Sequence, residues 1–530
     1  MLRRNLLGAG AAAGASSLLP RFSIAQPANS RVLRFIPQSD VGTLDPIVTT
    51  AYVTRNHAFL IWDTLYGLDA DLKPQPQMVE GHVVEDDGRR WTLTLRPGLK
   101  FHDGEPVRAQ DCVASIKRWQ RRDPLGQELA ARTDDLLATD DRTIVFRLKK
   151  PFPLLPDALG KVGTPVPFMM PERLANTDPF RAVTEFIGSG PFRFKPDERV
   201  QGSRFVYERF ADYRPRESGT PAWTSGPKRA LVDRVEWRVT PDSATASAAL
   251  QSGEVDWWEN PPNDLLPPLR RARDIVIDIP DPTGQLGFAR FNHLHAPFNN
   301  PKLRQALLGA INQADFMTAA FGDTKGAWRD KVGFFPDGTP FASDAGMAAL
   351  TSPRDLEKVK REVAASGYKG EPVVLLGATD FPIINALCLV GADLFKQVGL
   401  NVDYVSSDWG TVVQRRNSRE PVEKGGWSVF FTYWAGFDTL GPGVNQTLRG
   451  NGTNGWFGWA SSERLEAKRA EWFDAPSLAA QQQAAREQQA IGFEEVPALP
   501  LGQAFVATAY RRNLVDLPKG PPFFWNARKV

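Results

Sequence analysis

A chain of 530 residues is too long for one small hydrophobic core and calls for two or three domains. Its 42% hydrophobic and 24% charged residues are ordinary for a globular protein in water. The formal charge of +3 lies in residues 1–25, where Arg3, Arg4 and Arg21 meet no acid; beyond them bases and acids balance at 61 each, which removes the main support for binding nucleic acid.

Residues 1–25 read as an export signal, with a basic start, a short apolar run from Leu6 to Leu19 and a small-x-small end at Ser23 and Ala25. The run is too short for a bilayer, which takes about 20 apolar residues. Arg3-Arg4 and the late Arg21 resemble a twin-arginine signal; a general secretory signal is the alternative, because no Phe or Lys follows at the usual places. No Cys follows the cleavage region to carry a lipid, and no later segment reads as a membrane span. Cys112 and Cys388 are expected to be two buried thiols rather than a disulfide.

In chain order, Val32 to Ile36 reads as a strand and Val53 to Tyr66 as a helix. Arg90 to Arg96 alternates as a strand, paired with the residues around Val83 through an Asp87-Gly88 turn. A helix is expected from Arg108 to Trp119, and strands at Thr143–Leu148, Phe205–Phe210 and Val235–Val239. An Ala-rich helix at Ser243–Gln251 leads to a short strand before Trp257-Trp258, and Pro261 to Pro268 reads as a bend. Asn300-Pro301 starts another helix with a cap and a first-turn proline. Asp355 to Ser366 is a further helix, stopped by Gly367.

The following segment is the most informative. Apolar runs at Pro372–Gly377, Asn401–Ser406 and Trp427–Trp434 alternate with helix-length stretches, which predicts β-α-β-α-β and a parallel sheet. Ligands of open α/β sheets gather beyond the carboxyl ends of the strands. Those ends carry Thr379 and Asp380, then Asp408 and Trp409, then Trp434, Phe437 and Asp438, with Arg415-Arg416 nearby. Aromatic faces and charges without a nucleophile beside them suggest a binding wall.

Several stretches together resemble one family: Thr43-Leu-Asp-Pro46, Trp91 to Gly98, Lys100 to Val107, Gly188-Ser-Gly-Pro-Phe192, Leu250 to Asp256, Ala296 to Pro301 and Val496 to Leu501. The ordered set is similar to the peptide/nickel-type (family 5) extracellular solute-binding proteins of ABC importers. The resemblance implies an α/β, periplasmic-binding-protein-like two-lobe fold with an extra inserted domain. Lobe one would be 26–68, 189–280 and 500–530, the inserted domain 69–188 and lobe two 281–499, with hinges near 281–291 and 497–503. It also implies a periplasmic location, permease transmembrane subunits as partners, a monomer, and closure of the lobes on a small solute.

In oligopeptide-binding relatives an acidic-Trp pair followed by an Arg lies on lobe two, matched here by Asp408, Trp409 and Arg416. A second Trp, matched by Trp434, precedes by three residues an Asp that takes the peptide's ammonium. That place holds Phe437, with Asp438 next to it. Either Asp438 serves from a shifted loop and the solute is a peptide or amine-bearing molecule, or the solute is another kind, such as a glycoside or opine. No cofactor or metal is expected: His293 and His295 lack acidic or thiol companions. A secreted hydrolase built on His102-Asp103 and Ser115 is the reading from another class, without a nucleophile elbow to support it.

Overall fold

The computed structural model describes residues 31–530, so the expected export signal lies outside the described residues. Strand Val32–Ile36 sits near the middle of a seven-stranded sheet, parallel to Arg234–Arg238 on one side and to Trp257–Trp258 on the other. The tryptophan pair thus forms a strand itself instead of following one. Alternation along Val32–Ile36 puts Leu33 and Phe35 inside, and Phe35 meets Trp237, Trp257 and Phe524 at centroid distances of 5.3, 5.0 and 5.0 Å. Burying each such side chain contributes about 1.5–3 kcal/mol.

Between strand Val32–Ile36 and its return at Phe192–Phe194 the chain builds an antiparallel four-stranded sheet, ordered Val79–Glu85, Arg90–Leu95, Thr143–Leu148, Thr133–Ala138. Helix Ala109–Gln120 packs on it. The helix expected over Val53–Tyr66 is Tyr52–Ile61, and Tyr66–Leu68 pairs as a strand with Pro74–Pro76. Tertiary bonds override local propensity here. Trp62 Nε1 donates to Ile187 O, and Asp63 is held by Lys228 Nζ at 2.6 Å and Tyr213 Oη at 2.8 Å. Within Pro261 to Pro268, expected to bend, the chain coils into short helices at Asn263–Leu265 and Leu266–Arg271.

A six-stranded sheet runs Trp328–Arg329, Ala498–Ala504, Gln285–Phe291, Val429–Ala435, Val373–Ala378, Val402–Ser407. The parallel unit is present: Val373–Ala378 pairs in parallel with Val402–Ser407 and with Val429–Ala435. Val429–Ala435 also pairs antiparallel with Gln285–Phe291, so the sheet is mixed. Val373–Ala378 and Val429–Ala435 are buried along their whole length, which explains why they read as unbroken apolar runs.

The chain passes between these two sheets at 279–284 and again at 505–507, so 500–504 lies with the six-stranded sheet. Both passages are flanked by antiparallel pairs, Ile275–Asp278 with Thr508–Arg511 and Gln285–Phe291 with Ala498–Ala504. Gly284 sits in this strap at φ 71°, where a Cβ would collide with Ala504 O. Cys112 and Cys388 are free and buried. No helix among the described residues is long and apolar enough to cross a membrane.

Candidate functional site

The carboxyl ends of the parallel strands set the geometry on one side of a seam. After Val402–Ser407, Asp408 caps helix Trp409–Arg415, accepting from Thr411 N at 2.9 Å and Thr411 Oγ1 at 2.6 Å. Asp380 Oδ1 accepts from Trp409 N at 2.7 Å, and Thr379 Oγ1 donates to Ser407 O at 3.1 Å. Asp408, Asp380 and Thr379 therefore fix the backbone where Trp409 begins its helix, and none of them lines the cavity at the seam. Trp409 and Trp434 do line it, with Arg416, Tyr433 and Trp456.

Across the seam stand Gln38, Thr50 and Tyr52, the last opening helix Tyr52–Ile61. Thr50 Oγ1 receives Arg416 Nη2 and Trp456 Nε1, each at 3.3 Å, and Tyr433 Oη donates to Gln38 Oε1 at 2.8 Å. The cavity between them is about 20 Å³, space for roughly one water. A solute enters only when the two sides part.

The polar balance of this cavity is one-sided. Trp409 Nε1, Trp434 Nε1 and Arg416 Nε are buried donors without an acceptor among the described residues, and no carboxylate lines the wall. Leaving a buried donor unmatched costs about 1–3 kcal/mol. Arg416 is 2% exposed, makes no ion pair among the described residues and has its pKa lowered to about 9 by burial, so it stays cationic at neutral pH. Arg290, 1% exposed, is different: its guanidinium reaches the carbonyls of Phe457, Thr447 and Pro497. One buried arginine takes three backbone acceptors, and the other keeps an unmatched Nε at the seam.

Toward the strap the seam changes character. Asp438 Oδ2 accepts from Tyr52 Oη at 2.6 Å, and the same hydroxyl oxygen accepts from Ala435 N at 2.5 Å. Burial raises the Asp438 pKa, opposed by Arg55 and Lys161. A side chain at Gly163 would run into the Asp438 carboxylate. Arg55 lies over Tyr52 and Phe437 at 4.2 and 5.3 Å, and Phe437 meets Trp223 edge-on at 5.8 Å. Phe437 lines a cavity of about 60 Å³ beside Glu259 and Asp281 and another of about 180 Å³. Burial pushes Glu259 up to about 7 and Asp281 up to about 6.

Sequence reasoning named the lobe-two aromatics Trp409 and Trp434 and missed Gln38, Thr50, Tyr52 and Trp456. The signal for Trp456 was available in the glycine-punctuated aromatic loop Gly455-Trp-Phe-Gly-Trp459. His293 and His295 face different carbonyls, of Pro497 at 3.2 Å and Arg419 at 2.8 Å. No group of three His, Cys, Asp or Glu among the described residues is placed for a metal. His102 Nε2 faces Gly190 O, while Ser115 Oγ exchanges bonds with the backbone of Met170, so these two side chains are not paired for hydrolysis.

Two sheet-built lobes with an inserted third domain, meeting over an aromatic seam, define the two-lobe class of binding protein. The family model described as bacterial extracellular solute-binding proteins, family 5 middle, matches residues 73–456. A probable peptide ABC transporter periplasmic-binding protein of Sinorhizobium fredii is 38% identical, over 100% of this chain and 99% of its own. The fold resembles that of AgaA of A. tumefaciens R10 in complex with agropinic acid, with TM-score 0.78 and 20% identity over 94% of this chain and 99% of that one. It also resembles Haemophilus influenzae OppA in complex with the peptide RPPGFSPFR, with TM-score 0.78 and 16% identity over 95% and 100%. The chain belongs to the family 5 bacterial extracellular solute-binding proteins.

Proposed function

We propose that this chain is the exported, periplasmic and monomeric solute receptor of an ABC-type importer. It captures a peptide or peptide-like small molecule and delivers it to permease transmembrane subunits. The seven-stranded and six-stranded sheets are the cores of the two lobes, the four-stranded sheet is the core of the inserted domain, and the strap at 279–284 and 505–507 is the hinge. The observation that carries this reading is the cluster of buried, unmatched donors on Trp409, Trp434 and Arg416 facing Thr50 and Tyr52. A solute rich in acceptors, such as a peptide backbone with its carboxylate, satisfies them and excludes water from the indole faces. Because contacts form on both lobes, the ligand favours the closed state by its differential affinity. The role is capture without chemical change, so the purified protein should turn over no ester, peptide or glycoside.

Native mass spectrometry of freshly purified protein tests this: a retained small molecule of peptide mass is expected, and a cleft that takes up no solute from a peptide mixture sinks the reading. A second reading, a non-peptide solute such as a glycoside or opine, is favoured by one observation. The Asp438 carboxylate already accepts from Tyr52 and is packed against Gly163, and Phe437 occupies the place of the usual amine-binding acid. Asp438→Asn separates the two. Affinity for an amine-bearing peptide falls at least about tenfold if Asp438 anchors the ammonium, since a lost charge partner costs roughly 3–5 kcal/mol at a desolvated site. Unchanged affinity removes the amine anchor.

A further inference from the structure

Beside the seam cavity, and sharing Thr50 and Trp456 with it, lies a cleft of about 830 Å³ lined by the inserted domain, lobe two and the 47–50 segment of lobe one. Its charges have one sign. Arg121 and Arg122 enter from the end of helix Ala109–Gln120, Arg419 and Arg449 enter from lobe two, and no Asp or Glu lines the wall. Arg449 is neutralised by Glu466 at 2.9 Å. Arg121, Arg122 and Arg419 have no carboxylate within ion-pair distance among the described residues. The acid nearest Arg122 in effect, Asp45, is already held by Arg118 at 2.7 Å.

Two of these three arginines, Arg122 and Arg419, are braced. Arg122 Nη2 donates to Val48 O at 3.2 Å with its guanidinium 4.7 Å from the Phe180 centroid. Arg419 Nη2 donates to Thr453 O at 2.8 Å with its guanidinium 5.4 Å from Trp459. Each keeps further N–H groups for another acceptor. Gln120, 7% exposed, adds a buried Nε2 without an acceptor on the same wall. Arg122 also has its pKa lowered, first by burial and then by the repulsion of Arg118 and Arg419. Cations gathered without counter-charge, with an unmatched donor among them, are completed by an anion.

We propose that this cleft is a subsite for a negatively charged group of the solute, held by Arg122, Arg419 and Gln120, so that the receptor prefers acidic peptides. The inference rests on the peptide-receptor reading above and narrows its solute. A solute seated here places one acceptor-rich end against Arg416 and the indoles, and extends a carboxylate side chain toward the arginine pair.

The test is isothermal titration calorimetry with matched tripeptides, Ala-Ala-Glu against Ala-Ala-Gln and Glu-Ala-Ala against Gln-Ala-Ala, on the wild-type chain and on Arg122→Gln/Arg419→Gln. In at least one pair the glutamate peptide should bind about tenfold tighter or more, the scale of a charge-assisted contact. That preference should shrink below about twofold in the double variant, whose fold is checked by circular dichroism. Should the variant not fold, rising salt must erode the wild-type preference, because the pair faces an open cleft. Equal affinity within both pairs overturns the arginine subsite and leaves the receptor reading standing. No binding of any of the four peptides overturns the peptide reading, and the inference with it.

Discussion

The two ends of the interlobe seam solve opposite problems. At the strap end, Asp438, Tyr52 and Ala435 N complete one another, and Arg55 sits among acids. At the outer end, Arg416 Nε and two indole N–H groups are buried without acceptors among the described residues, and the adjoining cleft is lined by arginines with no acid. The first end holds the molecule together whatever it binds. The second, on the reading proposed above, is satisfied by a solute. A buried polar network is stabilising when every member is matched and costly when one is not, and the contrast lies in the Asp438–Tyr52–Ala435 set, since Arg55 Nη1 and Gln285 Oε1 at the strap end also lack partners among the described residues.

Substitutions that remove one hydroxyl or one N–H test that contrast. Tyr52→Phe should have the largest effect, because it strips a buried carboxylate and a buried N–H of the same partner. The unliganded protein should lose about 2–3 kcal/mol, read as a clear fall in its thermal midpoint. Next comes Gly163→Ala, whose methyl meets the Asp438 carboxylate; overpacking of this kind costs about 1–3 kcal/mol and acts against closure. Small-angle scattering should then give a larger radius of gyration than wild type, and an identical radius would mean that closure does not use this contact.

Trp434→Phe removes a donor that has no partner together with part of a packed ring, so the unliganded thermal midpoint should fall less than in Tyr52→Phe. Solute affinity should drop by about 1 kcal/mol, or roughly fivefold, by calorimetry. A fall in the midpoint as large as that of Tyr52→Phe, with affinity intact, would reverse the assignment of the two ends. The smallest effect concerns pH. Glu259, raised by burial to about 7 from 4.5, binds its proton more tightly in the folded protein. Its contribution to stability is full below about pH 4.5 and is lost as pH rises through about 7. Glu259→Gln should flatten that part of the midpoint–pH curve.

How much of this was legible depends on range. The parallel unit in 372–435 could be read because strands buried on both faces become continuous apolar runs, and Asn300 and Asp355 mark helix starts by local capping. Trp409 and Trp434 could be placed because they stand at strand carboxyl ends. Asp408 was read as part of the wall, yet an Asp three residues before Thr411 is a helix cap, and the structure uses it so. Thr50 and Tyr52 escaped because their partners lie 366 and 386 residues away, and nothing in the local pattern says which face meets the other lobe. The helix break at Trp62 escaped for the same reason, its cause being Ile187 and Lys228.

The doubled strap at 279–284 and 505–507 has a mechanical consequence. Two chain crossings tied into paired strands at each end form a double connection that, as a hinge, would favour bending over twisting or sliding. On the hinge reading proposed above, the lobes would close along one bending coordinate, and solutes of different bulk would halt it at different angles. Any permease that reads the relative pose of the two lobes would receive a graded report of cargo size along that one line.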